Sequence, residues 1–238
     1  GNIYTSTDFP PDQRIFLHNE NSYSWVWPRR ILFYCVQPAE EGGRTPIADC
    51  RRIYRRLPED LRRRFEERGV AYVRNFGDGL GLPWQQAFGS DRREEVEEFC
   101  RRARIEWEWK PGDRLRTRQV RPAVLRHPES GEPCWFNQAP LFHVSQLDPE
   151  VRDGLLAEFA PEDLPSHVFY GDGSPIGDDE LATICAAYDA EERSFDWRRG
   201  DVLLLDNVTA AHGRTAYRGA RRVVVGMAEP ASWAQAAG

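Results

Sequence analysis

The stretch Phe16-Leu17-His18-Asn19-Glu20 alternates apolar and polar side chains, and this alternation predicts a half-buried β-strand. Residues i and i+2 of a strand project from the same face. The strand prediction therefore places the His18 imidazole beside the Glu20 carboxylate, where the two can act as adjacent ligands of a metal ion. A His-x-Glu pair alone is a weak sign, because most such pairs lie on ordinary exposed strands, so the interpretation depends on a third ligand.

The third candidate ligand is His212, in the segment Asp206-Asn207-Val208-Thr209-Ala210-Ala211-His212-Gly213. The apolar run Val202–Leu205 predicts a buried strand before it, and a glycine follows it directly, so we expect the His212 ring at a strand edge where a site can form. Two histidines and one carboxylate on one face are the ligand set that suits non-haem Fe(II) and leaves coordination positions open.

Arg222 stands at the head of the apolar segment Val223–Val225, which predicts another buried strand. An arginine at this position is poorly placed for solvent contact alone, and its planar guanidinium can hold a carboxylate through two parallel hydrogen bonds. The neighbouring Arg221 should project from the opposite face. We therefore expect Arg221 to be exposed.

The composition of the 238 residues is that of a globular protein, since 40% are hydrophobic and the 8 Trp and 12 Phe can fill a sizeable core. Strand patterns dominate both ends of the sequence and helical patterns lie between them, without internal repeats, low-complexity segments or a linker. We therefore expect one mainly β domain over residues 1–238, a sandwich or barrel with helical insertions.

Charge and cysteine content limit the partners and the compartment. A net charge of −6 argues against general binding to nucleic acid or anionic membranes, and no apolar run approaches the roughly 20 residues that span a bilayer. The five cysteines are odd in number and include no Cys-x-x-Cys pair. This pattern favours reduced thiols in the cytoplasm over a disulfide framework or a zinc site.

Five further polar residues are candidates for contact with a small-molecule substrate, and each has a structural alternative. Asn137 and Gln138 follow an aromatic-rich strand, where they either offer amides to a substrate or stabilise the backbone. Arg116 and Arg118 share one face of a predicted strand, where they either bind a substrate carboxylate or have no part in the site. His143 either reaches the pocket or forms structural hydrogen bonds.

Several motifs together resemble those of the TauD/TfdA-type Fe(II)/2-oxoglutarate-dependent dioxygenases: His18-x-Glu20, Gly42-Gly43-Arg44-Thr45, Asp206-Asn207, His212 and Arg222. Within this family the sequence is similar to the SyrP-like amino-acid hydroxylases of natural-product pathways, through phrases such as Trp135-Phe136-Asn137-Gln138 and Tyr170-Gly171-Asp172-Gly173. The resemblance extends from about Tyr4 to Glu229.

The resemblance implies a fold, cofactors and residue roles. The fold would be a double-stranded β-helix, the jelly-roll core of clavaminate synthase-like enzymes, with helical insertions. His18, Glu20 and His212 match the family's iron ligands. Thr45 matches the threonine that hydrogen-bonds the 2-oxoglutarate carboxylate, and Arg222 matches the arginine that pairs with it. Fe(II) would be the cofactor, with 2-oxoglutarate and O2 as co-substrates.

Three features of the sequence refine what the resemblance implies. Gly226 occupies the position at which taurine-using members carry a sulfonate-binding arginine, so we expect no sulfonate substrate. Family members carry a longer segment before the first iron ligand, so we expect that part of this N-terminal segment is missing here. Glu20 argues against halogenation, which by family analogy needs a small residue at that position.

The reaction that we expect is hydroxylation of an unactivated C–H bond in an amino acid or an amino-acid-derived natural-product intermediate, either free or tethered to a carrier protein. Desaturation or ring formation at the same site, and catabolic oxygenation of a small organic acid, are the alternatives within the enzyme class. A jelly-roll that only binds a small molecule or a partner is the non-catalytic alternative. The substrate, the oxidised carbon and the oligomeric state stay open.

Overall fold

Strands predominate in the first and last parts of the chain and helices between them in the computed structural model, which describes residues 3–5, 9–77 and 79–236. The strands are β1 (Ile3–Thr5), β2 (Ile15–His18), β3 (Val26–Gln37), β4 (Glu41–Gly42), β5 (Ile47–Asp49), β6 (Val70–Phe76), β7 (Glu106–Lys110), β8 (Arg114–Arg121), β9 (Val124–Arg126), β10 (Pro133–Trp135), β11 (Ser166–Tyr170), β12 (Val202–Asp206), β13 (Ala210–Arg214), β14 (Tyr217–Arg218) and β15 (Arg222–Ser232). The α-helices are α1 (Cys50–Arg56), α2 (Glu59–Arg68), α3 (Trp84–Phe88), α4 (Arg93–Arg102), α5 (Ala139–Phe142), α6 (Pro149–Glu158), α7 (Asp178–Glu191) and α8 (Trp233–Ala236), with short 3-10 helices at Val144–Gln146 and Pro161–Asp163.

A four-stranded antiparallel sheet, in the order β1-β15-β3-β12, forms one wall of the fold. Successive residues of its strands face opposite sides, as strand geometry requires. One side is buried and packs around Trp197 with Ile31, Phe33, Cys35, Leu205, Val223 and Val225. The other side exposes large apolar residues, namely Leu32, Tyr34, Val202 and Leu204. Among the residues whose burial the structure describes, the side of this sheet that faces Trp197 contributes to the core.

A three-stranded antiparallel sheet, in the order β2-β13-β5, brings two predicted ligands together, because His212 of β13 lies opposite His18 of β2. Strand β2 ends at His18, however, and Glu20 lies in the following turn. The expectation that both side chains project from one strand is therefore wrong. The backbone of Glu20 leaves the ladder because it bonds to the side chain of Asn207 instead of a neighbouring strand.

A second four-stranded antiparallel sheet has the order β11-β6-β8-β7. Tyr72, Arg74 and Phe76 project from one face of β6. In the register of β8, Gln119 lies opposite Tyr72 and Thr117 lies opposite Arg74. Helices α3 and α4 pack over this face through the apolar cluster around Phe76. The sheet thus carries a mixed face, with polar side chains flanked by aromatic ones.

Helix α7 shows how the helical insertions attach to the strands. It buries Leu181, Ile184 and Tyr188 in the main core, which also contains Trp135 and Phe136. This burial removes large apolar surfaces from water and so stabilises the packing of helix on sheet. In the part of the chain that the structure describes, no helix is long and apolar enough to cross a membrane.

Candidate active site

His18, Glu20 and His212 converge at one end of the three-stranded sheet. One Glu20 carboxylate oxygen, Oε2, lies 3.9 Å from His18 Nε2 and 3.7 Å from His212 Nε2. One candidate ligand atom from each residue can be chosen so that all three lie within 4.8 Å of one another. The structure therefore brings the three predicted ligands together, although Glu20 reaches the group from a turn.

The ring of His18 is held in one orientation by a backbone contact. His18 Nδ1 lies 2.8 Å from the carbonyl oxygen of Phe16. Because a carbonyl oxygen can only accept a hydrogen bond, Nδ1 must carry the proton. In the neutral ring Nε2 then carries the lone pair, which faces Glu20 and is ready to coordinate a metal ion.

A network of buried amides fixes the turn that carries Glu20. The Glu20 amide donates to Asn207 Oδ1 at 2.8 Å, and Asn207 Nδ2 donates to the carbonyl oxygens of Glu20 at 3.0 Å and of Pro28 at 2.8 Å. Asn19 Nδ2 donates in turn to the Asn207 carbonyl at 2.6 Å, and Gln138 Nε2 donates to the Asn19 carbonyl, also at 2.6 Å. The carboxylate position is thus set by hydrogen bonds that use side chains instead of a strand ladder.

The electrostatics of the site favour the protonation states in which these side chains bind a metal ion. Burial raises the pKa of Glu20, but hydrogen bonds and charges from His18 and His212 outweigh burial, so that the pKa lies well below its ordinary value. Burial lowers the pKa of His212, and the nearby Glu20 carboxylate only partly opposes this effect. The site thus favours an ionised carboxylate and a neutral His212 imidazole, which are the forms that bind a cation.

The residues fit a divalent iron ion. Metal–ligand bonds of about 2 Å allow one ion to bind two atoms that lie about 4 Å apart. The Glu20 oxygen lies 3.9 Å and 3.7 Å from the two histidine Nε2 atoms, which fits this limit. Two imidazoles and one carboxylate on one face are the ligand set of non-haem Fe(II) sites. His212 Nδ1 is buried without a partner among the described residues, and the ring packs edge-on against Phe33 at 5.2 Å between centroids. Packing therefore orients this ligand.

Thr45 lies in the loop before β5, the strand that runs beside His212. Its side chain is buried, with only 1% of the residue exposed, and its Oγ1 accepts a hydrogen bond from Trp197 Nε1 at 3.0 Å. Because the indole fills an acceptor position, the hydroxyl hydrogen of Thr45 stays available for another acceptor such as a carboxylate. Trp197 was not among the sequence candidates, and its signal was only a lone tryptophan before a turn.

The exposure of the two arginines at the start of β15 is the reverse of what the sequence predicts. Arg222 is exposed, whereas Arg221 is partly buried and its Nε donates to the Gly43 carbonyl at 2.9 Å. The Arg221 guanidinium lies over the Tyr217 ring at 5.6 Å, and burial lowers the pKa of Arg221. The expectation that Arg221 faces solvent is therefore wrong. The role assigned to Arg222 stays a prediction.

The two predicted substrate amides have backbone partners. Asn137 Nδ2 donates to the Ala123 carbonyl and Asn137 Oδ1 accepts from the Ala139 amide, both at 3.0 Å. Gln138 supports Asn19, between His18 and Glu20 in sequence. Asn137 thus stabilises a turn, and Gln138 acts on the geometry of the metal ligands.

The other three substrate candidates are also engaged elsewhere. Arg116 binds Asn75 Oδ1 at 3.0 Å and pairs with Asp163, while Arg118 binds Glu106 and the Gly171 carbonyl. His143 contacts Ser145 Oγ at 2.8 Å and the Ile176 carbonyl at 3.2 Å through its two ring nitrogens. Among the described residues, no hydrogen bond or ion pair joins these three side chains to His18, Glu20 or His212, and their contact with a substrate stays a prediction.

Comparisons with known proteins agree with this geometry. A sequence profile of the taurine catabolism dioxygenase TauD, TfdA family matches residues 2–228. The dapdiamide synthesis protein DdaC of Enterobacter agglomerans is 42% identical over 228 residues, which cover 96% of this chain and 69% of DdaC. Such identity over nearly the whole chain indicates common descent as well as a common fold.

Two solved structures share the architecture. AAD-2 in complex with Mn(II) and N-oxalylglycine aligns with a TM-score of 0.55 and 11% identity, over 95% of this chain and 71% of that chain. Asparagine oxygenase in complex with Fe(II), 2S,3S-3-hydroxyasparagine and succinate aligns with a TM-score of 0.53 and 12% identity, over 91% of this chain but only 50% of that chain. At these identities the likeness concerns the fold, and the predicted jelly-roll core with helical insertions is confirmed.

Proposed function

This chain belongs to the TauD, TfdA family of Fe(II)- and 2-oxoglutarate-dependent dioxygenases, and from this we propose that it is a hydroxylase. Its target would be an unactivated C–H bond of an amino acid or of an amino-acid-derived natural-product intermediate. The observation that carries the proposal is the convergence of His18, Glu20 and His212 around one point. The names of two similar proteins support the substrate class. One takes part in dapdiamide synthesis, and the other is an asparagine oxygenase.

Three side chains would hold the metal ion, and each has a defined role. His18 and His212 would bind it through Nε2, and Glu20 through its carboxylate. When bound there, Fe(II) supplies the oxidation of the C–H bond by O2, with 2-oxoglutarate converted to succinate and carbon dioxide. The Phe16 carbonyl keeps the proton of His18 on Nδ1, and the Asn207 amide keeps the Glu20 turn in place. The chain thus fixes its ligands before the metal ion arrives.

The co-substrate carboxylate would lie between Thr45 and one of two arginines, Arg221 just before β15 or Arg222 at its first position. The Thr45 hydroxyl has its hydrogen free to donate, because Trp197 occupies an acceptor position on the same oxygen. The family pattern matches Arg222, but the burial of Arg221 and its contact with Gly43, two residues before Thr45, favour Arg221. A partly desolvated guanidinium beside the Thr45 loop is suited to a two-point grip on a carboxylate. We therefore assign this role to Arg221, with Arg222 as the alternative.

The cysteines support a reducing compartment, the cytoplasm, for this enzyme. All five are free, and four of them are buried in the core. Burial raises the pKa of Cys50 to about 12, and its sulfur accepts a hydrogen bond from Asn19 Nδ2 at 3.2 Å. A protonated thiol in that position supports the Glu20 turn and takes no part in disulfide chemistry.

A product screen tests the proposed reaction. Purified protein with Fe(II), ascorbate and 2-oxoglutarate is incubated under air with a panel of amino acids and of aminoacyl carrier proteins. Mass spectrometry then records a gain of one oxygen atom in the substrate, and succinate is measured in the same samples. We expect succinate in proportion to one hydroxylated amino acid or tethered aminoacyl group. Succinate coupled only to simple organic acids that lack an amino group would overturn the proposed substrate class.

A further inference from the structure

A cavity of about 590 Å³ lies on the mixed face of the sheet that contains β6 and β8. Its volume is within the range of small-molecule sites in proteins. The aromatic part of its lining comes from Tyr23, Trp25, Phe76, Phe88 and Phe99. The lining contains no aspartate or glutamate and none of the residues proposed to hold iron or 2-oxoglutarate.

Arg74 is the charged group at the sheet side of this cavity. Its side chain is partly buried, its guanidinium lies over the Phe76 ring at 4.8 Å, and burial lowers its pKa. Within residues 9–77 and 79–236, no carboxylate forms an ion pair with Arg74, whereas Arg116 on the adjacent strand β8 pairs with Asp163. Among the described residues no side-chain hydrogen bond engages the Arg74 guanidinium either, and none of its nitrogen atoms is both buried and without a partner, so its donors stay accessible to a ligand.

Polar neighbours complete a binding surface around this guanidinium. Thr117 lies directly opposite Arg74 in the register, and Gln119 lies opposite Tyr72, so both polar side chains face the same cavity. Arg102, at the end of α4, adds to the lining a second guanidinium, which is itself paired with Glu98 at 3.7 Å. The surface thus combines two cations and neutral hydrogen-bonding groups with aromatic walls, which suits an anion that carries an apolar body.

The cavity also touches the segment that follows a proposed metal ligand. Tyr23, three residues after Glu20, contributes to its lining and packs against Tyr72 at 6.0 Å and Phe142 at 5.2 Å between ring centroids. A molecule in the cavity would therefore contact the chain close to Glu20 without using the metal ligands.

We propose that this cavity binds a carboxylic acid with an apolar or aromatic body, its carboxylate on the Arg74 guanidinium and its body between the aromatic walls. Thr117 and Gln119 flank the carboxylate. The site is distinct from the one that holds the 2-oxoglutarate carboxylate. It can be tested by binding alone, whether or not the proposed hydroxylation is correct.

Isothermal titration with 3-phenylpropionate and its neutral isostere 3-phenylpropanamide tests the site. Fe(II) and excess 2-oxoglutarate are present without oxygen, so that the co-substrate position is filled. A charge-assisted hydrogen bond predicts that wild-type protein binds the acid at least about tenfold more tightly than the amide. Equal affinities for the two probes would overturn the proposal.

Three variants locate the binding to Arg74. Arg74→Gln should abolish the preference for the acid, and Arg74→Lys should keep part of it because the charge remains. Arg63→Gln removes one charge from an exposed position on α2 and should leave the preference at its wild-type value. Circular dichroism confirms that each variant is folded. An unchanged preference in folded Arg74→Gln would contradict the proposal.

Discussion

Asn207 holds the backbone of Glu20 from both sides, because its Oδ1 accepts from the Glu20 amide at 2.8 Å and its Nδ2 donates to the Glu20 carbonyl at 3.0 Å. The two residues lie 187 positions apart in sequence. Asn207 precedes β13, the strand that carries His212. The same residue therefore ties the proposed carboxylate ligand to the segment that supplies the second histidine.

Replacing Asn207 tests whether this connection positions the metal ligand. Asn207→Ala leaves the Glu20 backbone without its partners, so we expect Fe(II) affinity to fall by about 10–100-fold, the range typical of supporting residues at metal sites. Asn207→Asp keeps an acceptor for the Glu20 amide and should lose less. Anaerobic metal titration provides the measurement.

Asn137 supplies a matched control for that experiment. It is equally buried, and its side chain bonds two backbone groups, those of Ala123 and Ala139, where the Asn207 side chain bonds three. Asn137→Ala should lower the free energy of unfolding by about 1–3 kcal/mol, as Asn207→Ala also should, while leaving metal affinity unchanged. An equal loss of metal affinity in both variants would show that Asn207 acts only through general stability.

Replacing Arg221 and Arg222 separately identifies the co-substrate arginine. A bidentate charge-assisted contact contributes roughly 2–3 kcal/mol, so Arg221→Gln should raise the KM for 2-oxoglutarate about 30–150-fold. Arg222→Gln, at the exposed position, should change it by less than about threefold. The measurement is succinate formation against 2-oxoglutarate concentration, and the reverse ranking of the two variants would favour Arg222.

Trp197 is predicted to act on 2-oxoglutarate through Thr45. Trp197→Phe removes the indole donor but keeps an aromatic ring, so the Thr45 hydroxyl loses its fixed orientation. We expect the KM for 2-oxoglutarate to rise about three- to tenfold, with a smaller change in kcat. In a Thr45→Val background the same tryptophan replacement should have little further effect. Additive effects of the two substitutions would indicate that Trp197 acts independently of Thr45.

The stability of the fold should depend on pH through a buried pair of histidines, His143 and His167, which are not part of the proposed metal site. Burial, followed by the nearby His143, lowers the pKa of His167 to about 4. The two rings lie 4.6 Å apart, and His167 Nδ1 accepts from the Val144 amide at 3.3 Å, a contact that a proton on Nδ1 would remove. Asp178, 4.0 Å from His143 Nδ1, only partly opposes these effects.

Stability should therefore fall as the pH decreases from about 6.5 to about 4, because the unfolded chain binds a proton that folded His167 rejects. The contribution of His167 to the free energy of unfolding is fully present above that pH window, and below it this contribution is smaller by up to about 3 kcal/mol. Denaturant unfolding of wild type and His167→Gln at several pH values provides the test. We expect the free energy of unfolding to change less steeply with pH in His167→Gln than in wild type. Identical slopes in the two proteins would contradict a depressed pKa.

Much of the site could be predicted because its chemistry is carried by residue type and order. His18, Glu20 and His212 are a recognisable ligand set in the sequence, and the structure brings them together. The strand prediction for Glu20 failed because alternation of polar and apolar residues cannot show where a ladder ends. That end depends on the Asn207 side chain, which lies far away in the sequence.

The prediction that Arg221 faces solvent failed for a related reason. The ladder between β15 and β3 shifts its register between Arg222 and Val223, whose partners are Gln37 and Cys35. Such an irregularity redirects nearby side chains, so simple alternation from the Val223–Val225 strand does not extend to the residues before it. No pattern in the sequence singled out Arg74, because whether an arginine has an ion-pair partner depends on which carboxylates the fold places near it.

The central claim is that His18, Glu20 and His212 hold the iron ion on which the reaction depends. Fe(II)-dependent succinate formation tests it most directly, measured with excess 2-oxoglutarate for wild type, Glu20→Ala and, as a control, Glu106→Ala at an exposed position of the edge strand β7. We expect Glu20→Ala to lose at least about 99% of the activity, since a missing ligand disrupts the metal site, and Glu106→Ala to keep the wild-type rate. Wild-type succinate formation by folded Glu20→Ala would contradict the assignment of the metal ligands.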